Sequence, residues 1–111
     1  MAYDEGLARR IRGLLGDMPD VVEKKMFGGV GFILAGNMAC GVSGPDFIVR
    51  VGPAAGLQAL GQPHTRPFDM TGRPMAGWIV VDPAGVADDT ELAGWVQRGV
   101  DFARSLPPKT V

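Results

Sequence analysis

Arg50 closes the apolar run Phe47-Ile48-Val49, and a permanently charged guanidinium placed there must be received by something specific. Its planar fork of donors suits a carboxylate or phosphate from a ligand or partner. The competing reading is an internal pair with Asp69, Asp82 or Glu23, or a stem that reaches out to water, and the commonness of structural ion pairs favours it. A second group runs from His64 to Arg73, where His64, Arg66, Asp69, Thr71 and Arg73 put titratable and hydrogen-bonding side chains on one loop-like stretch. His64 could move protons near neutral pH. It is the chain's single histidine, however, and no nucleophile stands at a telling distance from it. A surface loop pinned by Pro63, Pro67 and Pro74 is the preferred reading. Asp69 and Asp82 could be offered as a carboxylate pair, but nothing in their spacing brings them together.

Three further features invite chemistry and fit packing better. Cys40 would need a lowered thiol pKa to act as a nucleophile, and between Met38 and Val42 it reads as a core residue. One cysteine and one histidine, with no paired ligand motif, argue against a zinc site. Gly28-Gly29 could cradle an anion, but it lacks both the Gly-Lys-Ser/Thr end of a phosphate loop and the spacing of a dinucleotide site. A tight strand-to-strand connection is preferred. Beside it, Met26 and Phe27, with Met70, Met75 and Trp78, could form an adaptable apolar binding surface, which core packing explains equally well.

The elements that must position these residues follow from pattern. A helix is expected from Asp4 to Asp17, with Leu7, Ile11, Leu14 and Leu15 as its buried stripe. Strands are expected at Val21 to Met26, Val30 to Ala35, Met38 to Ser43 and Phe47 to Val51, joined by turns at Gly36-Asn37 and Gly44-Pro45-Asp46. On the third strand, Met38, Cys40 and Val42 should share one face, leaving the small residues Ala39, Gly41 and Ser43 to admit a close helix. On the fourth, Phe47, Val49 and Val51 point one way and Ile48 and Arg50 the other. Pro53 opens a short helix closed by Gly61, and the stretch to Pro74 is irregular, with room for a short strand around Phe68. Met75 to Val81 is a strand. Asp88 and Glu91 then cap a last helix whose stripe is Leu92, Trp95, Val96, Val100, Ala103 and Leu106. The result is an α+β fold in two layers, an antiparallel sheet of about five strands with the N- and C-terminal helices packed on it.

Composition narrows the class. The chain has 111 residues, enough for one domain with an adequate core, and is 46% hydrophobic and 21% charged. Its 17 glycines imply many turns and close backbone contacts. A net charge of −1 disfavours direct nucleic-acid binding or an anionic membrane surface. The lone cysteine fits a reducing, cytoplasmic setting, and the N-terminus shows no signal peptide.

Lys25-Met26-Phe27-Gly28-Gly29, the Gly36-Asn37 pair before Cys40, Phe47-Ile48-Val49-Arg50, and Arg73-Pro74-Met75 with Trp78 resemble the N-terminal domain of the TfoX/Sxy proteins. The resemblance runs from about Glu5 to Leu106. It implies a secretion-chaperone-like two-layer fold, no cofactor and no known enzymatic activity. The family's named members regulate competence genes alongside a transcription activator and carry a second, C-terminal domain. Residues 1–111 are expected to be a single TfoX N-terminal-like domain standing alone, a non-enzymatic regulatory module with a protein partner and an option to form a homodimer. The alternative is a small-ligand or anion-binding domain, conceivably a minor enzyme, that uses Arg50 with Arg66, Arg73 and His64.

Overall fold

Two aspartates start the long helices. The Asp4 carboxylate accepts from the Leu7 amide at 3.1 Å and opens α1 (Glu5–Leu15); Asp88 accepts from the amides of Thr90 and Glu91 and opens α3 (Asp89–Ser105). Pro53 heads the short α2 (Pro53–Leu60), where its missing N–H leaves no orphan donor. The computed structural model describes residues 3–16, 18–26, 28–69 and 74–108.

Between the helices run β1 (Val21–Met26), β2 (Gly29–Leu34), β3 (Asn37–Ser43), β4 (Asp46–Arg50), β5 (Thr65–Asp69) and β6 (Pro74–Val81). They form one antiparallel sheet in the order β1-β2-β3-β4-β6-β5. The sheet has six strands rather than about five. Thr65–Asp69 reads poorly as a strand because it contains Pro67, yet β5 is an edge strand, where a residue without an N–H is tolerated. The opposite edge, β1, exposes Lys24 and Lys25, which discourage pairing with another chain.

Alternation sorts the sheet into two faces. Val30, Phe32, Leu34, Cys40, Val42, Phe47, Val49, Ile79 and Val81 join the buried residues of α1 and α3 and Ala59 of α2 in one core. Ile48 and Val80 are also buried but point to the far face, outside that core. Arg50 shares their parity on β4, as expected.

Three local expectations need correction. The first turn is Ala35-Gly36, both at positive φ (51° and 85°), and Asn37 already pairs with Leu34 as the start of β3. Asn37 is almost wholly buried; its Nδ2 donates to the Pro107 carbonyl at 3.0 Å, while its Oδ1 meets no partner among the described residues. Second, Phe32 pairs with Cys40 but Ile33 with Met38, so Ala39 is an extra residue, and the bulge puts Met38 on the face opposite Cys40. Gly41 consequently faces away from the helices, where a Cβ would meet the Met38 methyl at 2.8 Å, and the close helix approach is at Ala39 alone. There a Cβ on Gly99 of α3 would lie 2.4 Å from the Ala39 carbonyl oxygen. Third, Leu14 is 41% exposed, because α1 turns Leu7, Ala8, Ile11 and Leu15 inward and leaves Leu14 at the rim of that stripe.

Candidate site: an arginine flanked by two aromatic rings

The end of β4 and the start of α2 are built around glycine. The Gly77 carbonyl accepts from both the Val51 and Gly52 amides, at 2.8 and 3.2 Å, so β6 grips the chain just after Arg50. Gly52 has φ 91°, and a Cβ there would fall 2.4 Å from the Phe102 ring. Only glycine satisfies both conditions. Phe102 of α3 can therefore reach the end of β4, and the Arg50 Cζ lies 5.2 Å from its ring centroid. On the neighbouring strand Trp78, the ladder partner of Arg50, has its ring centroid 5.4 Å from the same Cζ. Phe68 of β5 packs against Trp78 at 6.0 Å between ring centroids, tilted by 41°.

Arg50 is half-buried, and among the described residues its guanidinium makes no ion pair and no hydrogen bond. The expected internal partners are used elsewhere or not at all. Glu23 takes Arg12 through both oxygens, at 2.5 and 2.6 Å, and Asp82 takes Arg66. Those pairs raise the Arg12 guanidinium pKa, through Glu23 first and then Glu5, and that of Arg66, through its hydrogen bond to Asp46 first. The same Arg12 holds the Glu5 carboxyl below its ordinary range.

The loop group is divided. Arg66 bonds Asp46 at 2.6 Å and also Asp82, so its charge is already met. Asp69 lines a far-face hollow of about 370 Å³ with Arg66, Asp46, Ser43, Ile48 and Phe68. Its acids outnumber its single cation, which makes it a poor receptacle for an anion. His64 stands exposed at the other end of β5, at φ 66°, and contributes its carbonyl to the Asp82 amide at 2.8 Å. Thr71, Arg73, Phe27 and Met70 lie outside the described residues, and Met26 and Met75 enter only by their strand positions.

Gly28 occupies the β1–β2 turn at φ 73° and Gly29 pairs with Met26, the tight connection expected of the glycine pair. A Cβ on Gly29 would fall 2.1 Å from the Val42 carbonyl oxygen. Cys40 is fully buried and burial pushes its thiol up to about 12, so it is inert at neutral pH. Among the described residues no three His, Cys, Asp or Glu side chains gather as metal ligands, and no helix is long and apolar enough to cross a membrane.

Beside the stack, α2 and the β5–β6 edge enclose an apolar groove of about 220 Å³ lined by Pro53, Leu57, Leu60, Pro67 and Trp78, among others. Leu57 on its rim is 85% exposed. Pattern reasoning passed over Leu57, Gly52, Gly77 and Phe102. One signal was present: Phe102 lies seven residues after Trp95, so a second aromatic flanks the buried stripe of α3.

No curated protein and no solved structure matches the chain. The family model for the TfoX N-terminal domain matches residues 13–103, a span that includes every part of the Arg50, Trp78 and Phe102 cluster and both glycines that shape it. With most of its length matched, the chain belongs to the TfoX N-terminal domain family.

Proposed function

We propose that residues 1–111 act as a single TfoX N-terminal-like module that works in regulation by binding a protein partner, with no chemistry of its own. The observation that carries this reading is the apolar groove beside α2, with a leucine left 85% exposed on its rim. Single exposed apolar residues are ordinary, but one placed over an apolar groove with a tryptophan in its lining is the arrangement of a contact surface. Family membership points the same way. The anion-binding alternative at the arginine-rich loop loses support because Arg66 is neutralised by Asp46 and Asp82.

The test is capture from nuclease-treated native lysate by the tagged chain, with Leu57→Asp as control. Leu57 is too exposed for this change to unfold the domain, which circular dichroism verifies. A protein retained in stoichiometric amount by the wild type and lost by Leu57→Asp is the expected result. Absence of any retained protein, or retention that depends on nucleic acid, would overturn the reading.

A further inference from the structure

A stacked guanidinium and a salt-bridged one differ in what they leave available. An aromatic ring attracts the cation through its π-face and takes up no conventional hydrogen bond, so donors beside rings are not spent as they are in a salt bridge. The Arg50 Cζ lies within 5.4 Å of the Trp78 and Phe102 ring centroids, and among the described residues no acceptor meets its guanidinium. The position is also prearranged. Gly52 leaves room for the Phe102 ring, and the Gly77 carbonyl fixes the backbone between Arg50 and α2. A charge held in place by packing, whose donors meet no acceptor among the described residues, is a receptor for a bidentate anion that has little ordering left to undergo on binding.

The surroundings identify the anion. Trp78 belongs both to the arginine stack and to the groove that Leu57 overhangs. A ligand that engages both would offer one anionic group and, within a few residues, an apolar side chain. Polynucleotides are bound through rows of cations that neutralise successive phosphates, and a chain with net charge −1 whose described residues offer a single acceptor-free arginine at this place matches that poorly. A peptide segment with an aspartate or glutamate next to a large apolar residue matches both parts.

We propose that Arg50 is the docking residue of this module: it receives a carboxylate side chain from an acidic–apolar segment of a partner protein, whose neighbouring apolar residue seats in the groove beside Leu57 and Trp78. The proposal rests on the interaction reading above and gives it a recognition chemistry.

The full-length chain is screened against a bead-displayed library of random peptides, and enriched sequences are resynthesised for titration by fluorescence anisotropy. Enriched peptides should carry Asp or Glu within a few residues of Leu, Ile, Phe or Trp. Amidation of the acid, to Asn or Gln, should weaken binding ~10–100-fold, the range for a charge-assisted pair. Arg50→Ala should weaken it equally, with no further loss when both changes are combined. Arg50→Glu should reverse the preference towards Lys and Arg, which a purely structural role would not do. If Arg50→Ala does not fold, Arg50→Lys takes its place, keeping the charge but not the fork, with a smaller loss expected on the same acidic peptides. No enrichment, enrichment without acids, an Arg50 variant that binds like wild type, or an Arg50-dependent single-stranded oligonucleotide would each overturn the proposal. A lysate partner held equally by wild type and Arg50→Ala sinks the docking chemistry and leaves the interaction reading standing; no partner at all sinks both.

Discussion

Arg50 and Arg66 occupy the same face of one sheet, opposite Trp78 and Val80 of β6, and their surroundings have little in common. Arg66 is tied to Asp46 and Asp82 in a half-exposed cluster. Arg50 is flanked by two aromatic rings, with no carboxylate at its edge among the described residues. In stability terms the two arrangements are close: an exposed ion pair contributes ~0–1 kcal/mol and a cation over an aromatic ring ~0.5–2 kcal/mol. The difference lies in what is left over. The first arginine has spent its donors inside the molecule, while those of the second meet no acceptor among the described residues, so a count of arginines on a loop says little about where an anion will bind.

The comparison is broken most severely by Gly52→Ala, which forces a Cβ to within 2.4 Å of the Phe102 ring at φ 91°. A loss of about 2–4 kcal/mol in chemical denaturation is expected from strain and overpacking together. A loss below ~1 kcal/mol would show that the ring can step aside and that glycine does not build the stack. Next comes Phe102→Leu, which keeps most of the bulk and removes the ring. In a double-mutant cycle with Arg50→Met it should return a coupling of ~0.5–1 kcal/mol that changes little with salt. The matching change on the other arginine, Arg66→Ala, should cost within ~1 kcal/mol. That cost should fade between about 0.1 and 1 M salt, since Arg66 and Asp82 are half-exposed. Equal salt responses at the two sites would erase the distinction.

The smallest expected effect is a titration. Arg12 and, to a lesser degree, Tyr3 hydrogen-bond Glu5 and hold its carboxyl below its ordinary range. A carboxyl whose folded pKa is depressed stabilises the fold above its unfolded pKa, and that contribution disappears as pH falls through the folded value. Glu5 should therefore stay ionised until the medium is more acidic than free glutamate requires. NMR titration of Arg12→Ala should show its pKa moving back up.

Much of the architecture was legible because it is specified locally. Asp4, Asp88 and Pro53 mark helix starts by their own chemistry, and alternation on Phe47 to Val51 separates Arg50 from the core without knowledge of any neighbour. What pattern leaves open or hides depends on distant partners. β5 is a strand because β6 offers it an edge on which Pro67 does no harm. The Ala39 bulge escapes a reading in which Ala39 and Gly41 are interchangeable small residues, and only the pairing with Phe32 and Ile33 reveals the extra residue. The stack combines β4, β6 and α3, so Arg50 could be singled out by its apolar neighbours while Phe102 could not be assigned to it. The loop group shows the converse: closeness in sequence put His64, Arg66 and Asp69 together, and the extended strand keeps Arg66 and Asp69 beside one hollow while His64 stands before its start.

Asn37 ties the start of β3 to the chain beyond α3 through one side-chain hydrogen bond, from its Nδ2 to the Pro107 carbonyl. Opening at this corner gives up that one hydrogen bond, whereas opening the middle of α3 exposes Trp95, Val96 and Val100 to water. In native-state hydrogen exchange the last turn of α3 should lose protection in an early, shallow step, well before the amides around Val96 and Val100 report global unfolding.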